Sequence, residues 1–446
     1  MYFLRFFLIF HLLHSLAWAD DLSPANAAVF YINGETRLRF EHLDGQFRIG
    51  QNGSDQALMM RTLLKAGLKY ERWSVNTEII DARSIAGIDD DDTNLNNGTN
   101  NPSDILQFYL GLHSADLGCK GCKGHLSLGR FTLDVGSRRF VARNRYRNTI
   151  NAFSGLQFNW ENSSSENPGI HSWQIFYSHP VQRKFDGEAQ ENNPDLDEAI
   201  NGTDFWGLVL GHRSQRLNSL WYLLGLDEED RPGYATRDRK LYTLVSDLSS
   251  TKTAQHNWRV ELAYQWGESS VDRSLNQARD VSATFIHGEW FYRFQNTHML
   301  GLLFDYASGD RAINDDEDQR FDTLYGARRF DFGPTGLYGP FARGNLVSPG
   351  LRWQSPKYKW GEVLGTWRAF RLAEKQDTWT STGFAAREAG APSAIGRQTE
   401  FRWRWQNANK TLLLEAGAAY LEAESVMEAA GKGDSQYAYS QVTLSF

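Results

Sequence analysis

The side chains best placed for chemistry in this chain are cations set at alternate positions among apolar neighbours. Arg37, Arg39 and Arg61 have Leu38, Phe40, Met60 and Thr62 beside them, and Lys65, Arg259, Arg352, Arg402 and Arg404 lie in similar settings. Acids share the same alternation: Glu35, Glu41, Glu78, Glu261, Asp305, Glu400 and Glu415. A guanidinium is a planar fork of donors that stays charged. A row of such groups facing water inside a pore would offer transient sites to an anionic solute. The same charges could also pair across strands and fill the interior.

Other chemistries find less support. There is no G-x-S-x-G, H-E-x-x-H, P-loop or dinucleotide glycine motif. His287-Gly288-Glu289 and Ser308-Gly309-Asp310 come nearest to a hydrolytic pair, and neither shows the third group that a triad requires. No catalytic residue is expected, so the chain reads as a non-enzyme. Cys119 and Cys122, between Gly118 and Gly124, sit among lysines and strand-like segments rather than ahead of a helix. A disulfide stapling a turn in an oxidising compartment fits them better than a redox centre or a zinc site. The acidic runs Asp89–Asp92 and Asp315–Asp318 offer oxygen ligands of the kind calcium takes, without EF-hand spacing. A solvated acidic loop explains them as well, and no cofactor is otherwise expected.

The elements that position these residues follow from a period of two. Trp258, Val260, Leu262, Tyr264 and Trp266 alternate with Asn257, Arg259, Glu261 and Gln265. Phe401, Trp403 and Trp405 alternate with Glu400, Arg402 and Arg404. One face therefore meets an apolar medium and the other a polar one. About eighteen such segments of about ten residues occur, the length that crosses a bilayer as a tilted strand. They begin near residues 30, 57, 73, 104, 124, 153, 171, 203, 218, 238, 256, 280, 297, 343, 359, 397, 410 and 435; those at 203–212 and 280–294 are indistinct. Leu412–Ala430 could be drawn as a helix, but its alternation favours a strand. Short turns such as Glu71-Arg72 and Asn407–Lys410 alternate with long polar stretches at Asp89–Pro102, Asp186–Gly202, Asp310–Gly344 and Glu374–Gly396. The acidic loops are expected to lie outside the membrane span.

Composition agrees. In 446 residues there are 15 Trp, 18 Tyr and 27 Phe, and Trp73, Trp160, Trp258, Trp266 and Trp405 stand at strand ends, where aromatics favour a membrane interface. The formal charge of −7 and the absence of a basic patch argue against nucleic acid. Met1–Ala19 has one early cation, an apolar run and Ala17-Trp18-Ala19, which reads as a cleaved export signal. The expected architecture is all-β: one domain, residues 20–446, forming an antiparallel transmembrane barrel in a bacterial outer membrane, in contact with lipid and monomeric. Its last strand, ending in Val442, Leu444 and Phe446, resembles the signal read by outer-membrane barrel assembly.

A family resemblance sharpens this. His125-Leu-Ser-Leu-Gly-Arg-Phe-Thr132, then Arg138-Arg139, Asn144 and Arg147-Asn148-Thr149, then the strand Phe153–Trp160, resembles the alginate-export family of outer-membrane barrels. Arg37-Leu-Arg39-Phe-Glu41 with Asp44, Asp305-Tyr-Ala-Ser-Gly-Asp310 and Phe321-Asp-Thr-Leu-Tyr325 agree with it. The resemblance implies an eighteen-stranded channel with a constricted, arginine-rich pore, Arg130 included, that passes an acidic polysaccharide outward with possible periplasmic secretion machinery as partner. The strand Ile105–Leu112 carries no base and 410–421 shows Glu415 and no Arg, so the arginine lining is uneven. A general diffusion porin and a non-transporting structural or adhesion barrel are the alternatives.

Overall fold

The computed structural model describes residues 27–87, 93–162, 169–231, 234–251, 255–270, 277–312, 315–388 and 390–446. The leader expected at Met1–Ala19 and the acidic run Asp89–Asp92 lie outside them. Eighteen long strands follow one another: β1 (Val29–Asp44), β2 (Ser54–Tyr70), β3 (Trp73–Gly87), β4 (Asn101–Ala115), β5 (Cys122–Phe131), β6 (Phe153–Asn162), β7 (Gly169–Gln182), β8 (Thr203–Arg213) and β9 (Leu217–Glu228) form the first half. The second half is β10 (Lys240–Ser250), β11 (His256–Ser270), β12 (Ala278–Arg293), β13 (Met299–Ala307), β14 (Leu346–Gln354), β15 (Glu362–Arg371), β16 (Ala394–Gln406), β17 (Leu412–Ala423) and β18 (Ser435–Ser445). Each pairs antiparallel with its chain neighbour. β1 also pairs with β18, from Glu35 opposite Ser445 to Asp44 opposite Gln436, so the sheet closes and leaves no edge.

Every expected segment falls on an observed strand, including the indistinct ones, which are β8 and β12. The ambiguous stretch divides: Leu412–Ala423 is strand, and Ser425–Ala429 forms one short helix in the following loop. Period-two sorting accounts for the pleat. On β1, Leu38 and Phe40 are 42% and 43% exposed on the outer face, whereas Arg37 and Arg39 are 3% and 1% exposed within. Register is helped by rings that lie over glycines of the neighbouring strand. Tyr31 covers Gly67 and Trp206 covers Gly225, where a Cβ would collide with the ring.

Two aromatic belts bound the outer face. Trp258 and Trp290, near the short-turn end, are cross-strand partners; Tyr242 stacks on Trp266 at the other end, with centroids 5.7 Å apart. Trp258 and Trp266 are eight residues apart on β11, about 27 Å along a strand, or about 21 Å across the membrane at a tilt of ~40°. That approaches the height of an outer-membrane apolar band.

The loop after β13 divides: Asp315, Asp316 and Glu317 are exposed, whereas much of 308–345 folds into the lumen together with 132–152. Val141 and Tyr325 bridge in parallel, and Ala142 N–H donates to the Tyr325 carbonyl at 3.1 Å. Phe140, fully buried, meets Phe285 of the wall edge-on at 5.3 Å and Phe321 at 5.6 Å. Asp310 and Asp331 are buried in consequence. The driving force is ordinary: apolar rings on both loops leave water, and wall charges supply partners for the polar backbone.

Candidate functional site

The wall arginines of β1 and β2 act mainly on the 132–152 loop. Arg37 donates to the carbonyls of Arg145, Tyr146 and Arg147 at 3.1, 3.0 and 2.9 Å, and to Asn148 Oδ1 at 3.0 Å. Arg61 donates to the Arg145 and Arg147 carbonyls and forms an ion pair with Glu35 at 2.7 Å. Arg39 holds Glu41 and Gln441, with its guanidinium 4.0 Å from the Tyr146 ring centre. Asn148 in turn donates to the Thr99 carbonyl at 2.9 Å. The loop turns through Arg138 and Asn144 at φ +69° and +58°, sparsely populated conformations kept by these ties.

A second, drier cluster joins the loops to the opposite wall. Arg139 donates to Glu261 and twice to Asp331, each at 2.9 Å, and lies 2.8 Å from His287 Nε2. Glu261 also accepts from Tyr222 and Ser137. Asp305 holds Arg368 and His287, Arg343 joins Asp331, and Arg329 reaches Glu400 at 2.6 Å. Burial alone would raise the Asp331 carboxyl; the Arg139 and Arg343 guanidiniums instead hold it well below the usual carboxylate range. His287, Asp305 and Asp331 bring three ligand-type atoms together, yet Arg139, Arg343 and Arg368 already neutralise that group and would oppose a cation. Ser308 Oγ accepts the Thr284 amide at 2.8 Å and forms no dyad with a histidine.

The remaining expected residues sort as follows. Arg259 is locked to Asp247 at 2.8 Å, and Arg352 donates to the Phe330 carbonyl at 2.7 Å. Lys65 stays half exposed, 3.6 Å from Glu78. Arg130 corrects the expectation of a lumen position. It is the cross-strand partner of Phe108 and two residues from Leu128, both on the lipid-facing side, and it bonds the carbonyls of Ile105 and Asp197 at the long-loop rim. Cys119 and Cys122 form a disulfide in the short β4–β5 turn. Asp315 and Glu317 are exposed. Arg143, Arg329, Arg343 and Arg368 escaped the sequence reading, and Arg139 entered it only through the family resemblance; all but Arg368 belong to aperiodic loops.

Arg402 and Arg404 differ from these. Both face a cavity of about 370 Å³ at the short-turn end, beneath the inward loops, which Arg37, Arg39, Arg61, Arg138, Arg145 and Arg329 also line. Glu35, Asp134 and Glu415 are its acids. Arg404 approaches Glu415 only to 3.9 Å, and no hydrogen bond ties Arg402 to a described residue.

Comparison with known proteins places the chain. A sequence model described as alginate export matches residues 30–440. No curated protein matches it in sequence. Among solved structures, OccAB3 of Acinetobacter baumannii is similar with a TM-score of 0.62 at 10% identity, over 94% of this chain and 99% of that one. OccK8 (OprE) of Pseudomonas aeruginosa gives 0.59 at 10% identity, over 94% and 98%. OccK5 (OpdH) of the same organism gives 0.58 at 12%, over 94% and 98%. With its family match spanning nearly the whole barrel, the chain belongs to the alginate export family and is an outer-membrane channel rather than an enzyme.

Proposed function

We propose that the channel passes an anionic saccharide of the uronate class, as a single chain, with the arginines of the short-turn cavity as its transient binding groups. The observation that supports this is the eight-to-three excess of arginine over acid lining that cavity, with Arg402 and Arg404 free of strong partners. A carboxylate arriving there meets guanidinium forks whose geometry matches its two oxygens. Short turns face the periplasm in outer-membrane barrels, so this cavity is the periplasmic one.

Planar-bilayer conductance of the refolded protein tests the reading. Anion-selective current, blocked by uronate oligomers and less so in Arg402→Ala/Arg404→Ala, is the expected result. Current indifferent to both oligomer and substitution would identify a general porin. The packed loops around Phe140 favour a second reading, a barrel that does not transport, and absence of current would point to it.

A further inference from the structure

At the other end of the lumen, among the long loops, lies a cavity of about 310 Å³ lined by Arg48, Arg147, Arg183 and Arg328. No acid among the described residues lines it. The four come from separate loops, after β1, β5, β7 and β13, so folding alone brings them together. What they already bond is neutral. Arg48 donates to the Leu337 carbonyl at 2.8 Å and to Gln46 Oε1 at 3.0 Å. Arg183 donates to the Asn97 carbonyl at 2.7 Å and to Asn151 Oδ1 at 2.9 Å. Arg328 donates to the Phe341 carbonyl at 3.0 Å. The Arg147 guanidinium has no hydrogen bond to a described residue.

Arg139, Arg329, Arg343 and Arg368, buried elsewhere in the lumen, are each matched with a carboxylate; here no described carboxylate lies within ion-pair distance of any of the four. Thr335, buried on the cavity wall, also leaves its hydroxyl without a partner. Gly339 lines the same wall at φ +113°, where a Cβ would lie 3.8 Å from Arg328 Nη2. The electrostatics follow the weak counter-charge. Burial, then Arg147, Arg343 and Arg48, push the Arg328 guanidinium down to about 9; burial with Arg147 pushes Arg183 to about 10 against the more distant Asp197. Burial likewise brings Arg48 to about 10 against Asp55, which lies beyond ion-pair distance. All remain charged at neutral pH, so up to four positive charges share one small space, an arrangement that is costly unless an anion joins it.

We propose that Arg48, Arg147, Arg183 and Arg328 form a binding site for an oxyanion group carrying two or more negative charges, set at the long-loop end and separate from the short-turn cavity. Two sources supply that chemistry: a compact dianion such as sulfate, or adjacent carboxylates of an acidic saccharide. The donors left over, all of Arg147 and the second nitrogens of Arg183 and Arg328, are those that would receive it. The site does not depend on which solute crosses the barrel.

The test is calorimetric titration of the full barrel in detergent, at constant ionic strength, with sodium sulfate in one arm and digalacturonate in the other. Saturable 1:1 binding of either probe is expected, weakened at least tenfold in Arg147→Gln/Arg328→Gln. Binding should be unchanged in Lys410→Gln, an exposed charge on the β16–β17 turn that lines neither cavity, and Arg147→Lys should lose only part of the affinity. Sulfate binding alone assigns the site to compact dianions; digalacturonate binding alone assigns it to the saccharide. If neither probe saturates, or if binding depends on Arg402 and Arg404 and not on Arg147 and Arg328, the site is refuted. Should the double variant fail to fold, Arg183→Gln makes the same comparison. Because the site is read from sulfate binding and from its dependence on Arg147 and Arg328, which the short-turn cavity does not contain, its failure is distinguishable from failure of the transport reading, which is read as uronate block of current.

Discussion

The two ends of the lumen both carry an excess of arginine, eight against three acids at the short-turn end and four against none at the long-loop end among the described residues. At the short-turn end, Glu35, Asp134 and Glu415 temper the charge, and Arg37 and Arg61 are occupied with loop carbonyls. At the long-loop end, three guanidiniums bond only neutral oxygens and that of Arg147 bonds none among the described residues. Between them, the Arg139 cluster is matched almost group for group. A count of arginines therefore says little about where an anion would stop. What matters is how many donors the fold leaves unoccupied, and how much opposite charge lies within a few ångströms.

The largest way to break this contrast is to remove its divider. Arg139→Ala leaves Glu261 and Asp331 buried without that partner, a loss of the order of 3–5 kcal/mol. The barrel wall should survive. Hydrogen exchange of 132–152 and 308–345 should quicken sharply while the strands stay protected, and single-channel current should rise and become noisy. Unchanged protection in both loops would show that some other contact holds them. A smaller effect is expected from Arg37→Met. It removes four hydrogen bonds to 145–148 at about 1.5–3 kcal/mol for a charged bond, with much overlap among them. Faster exchange confined to that stretch would show that the wall clamps the loop locally; spread to 308–345 would show that the two loops move as one.

Arg402→Ala makes the comparison sharper still. With no hydrogen bond to lose, it should change stability by less than about 0.5 kcal/mol. Its effect should fall on anion selectivity alone. A measurable drop in stability would place Arg402 with the structural arginines.

How far these differences were legible in the sequence depends on periodicity. A strand facing lipid on one side and charge on the other writes its geometry at every second residue, which is why Arg37, Arg39, Arg259 and Arg404 were assignable to the inner face. Arg130 shows the limit. Leu126 and Leu128 share its face and Ser127 and Gly129 the other, so strict alternation already put it outward; a motif resemblance pointed the other way. The loops carry no period at all. Arg139 meets Asp331 across 192 residues, and nothing local to either marks the encounter. The same holds for the long-loop cavity, whose four arginines are far apart in the chain and meet only because their loops turn inward.

The comparison extends to the rim where Arg130 lies, whose effect appears only as a dependence on pH. Asp197, in the loop between β7 and β8, accepts from the Lys184 amide and from Asn101 Nδ2, both at 2.8 Å. Arg130 donates to its backbone carbonyl at 2.9 Å, and Asp104 faces it from β4. Burial first, and the Asp104 carboxylate next, push the Asp197 carboxyl up to about 7, against those two donors and against Arg183 nearby. In an undocked loop it would titrate near 3.9. The docked state thus binds a proton that the undocked state releases. Docking is strongest below about pH 4, weakens by at most about tenfold per unit as pH rises, and levels off above about 7. Hydrogen exchange of 183–202, corrected for the intrinsic rate, should therefore be slower at pH 5 than at pH 8. Asp197→Asn, which keeps the shape and the Lys184 contact without the charge, should abolish the difference. Equal protection at both pH values in the unaltered chain would mean that Asp104 and Asp197 do not share a proton, and that Arg130 and Lys184 hold the rim whatever the charge of the acids.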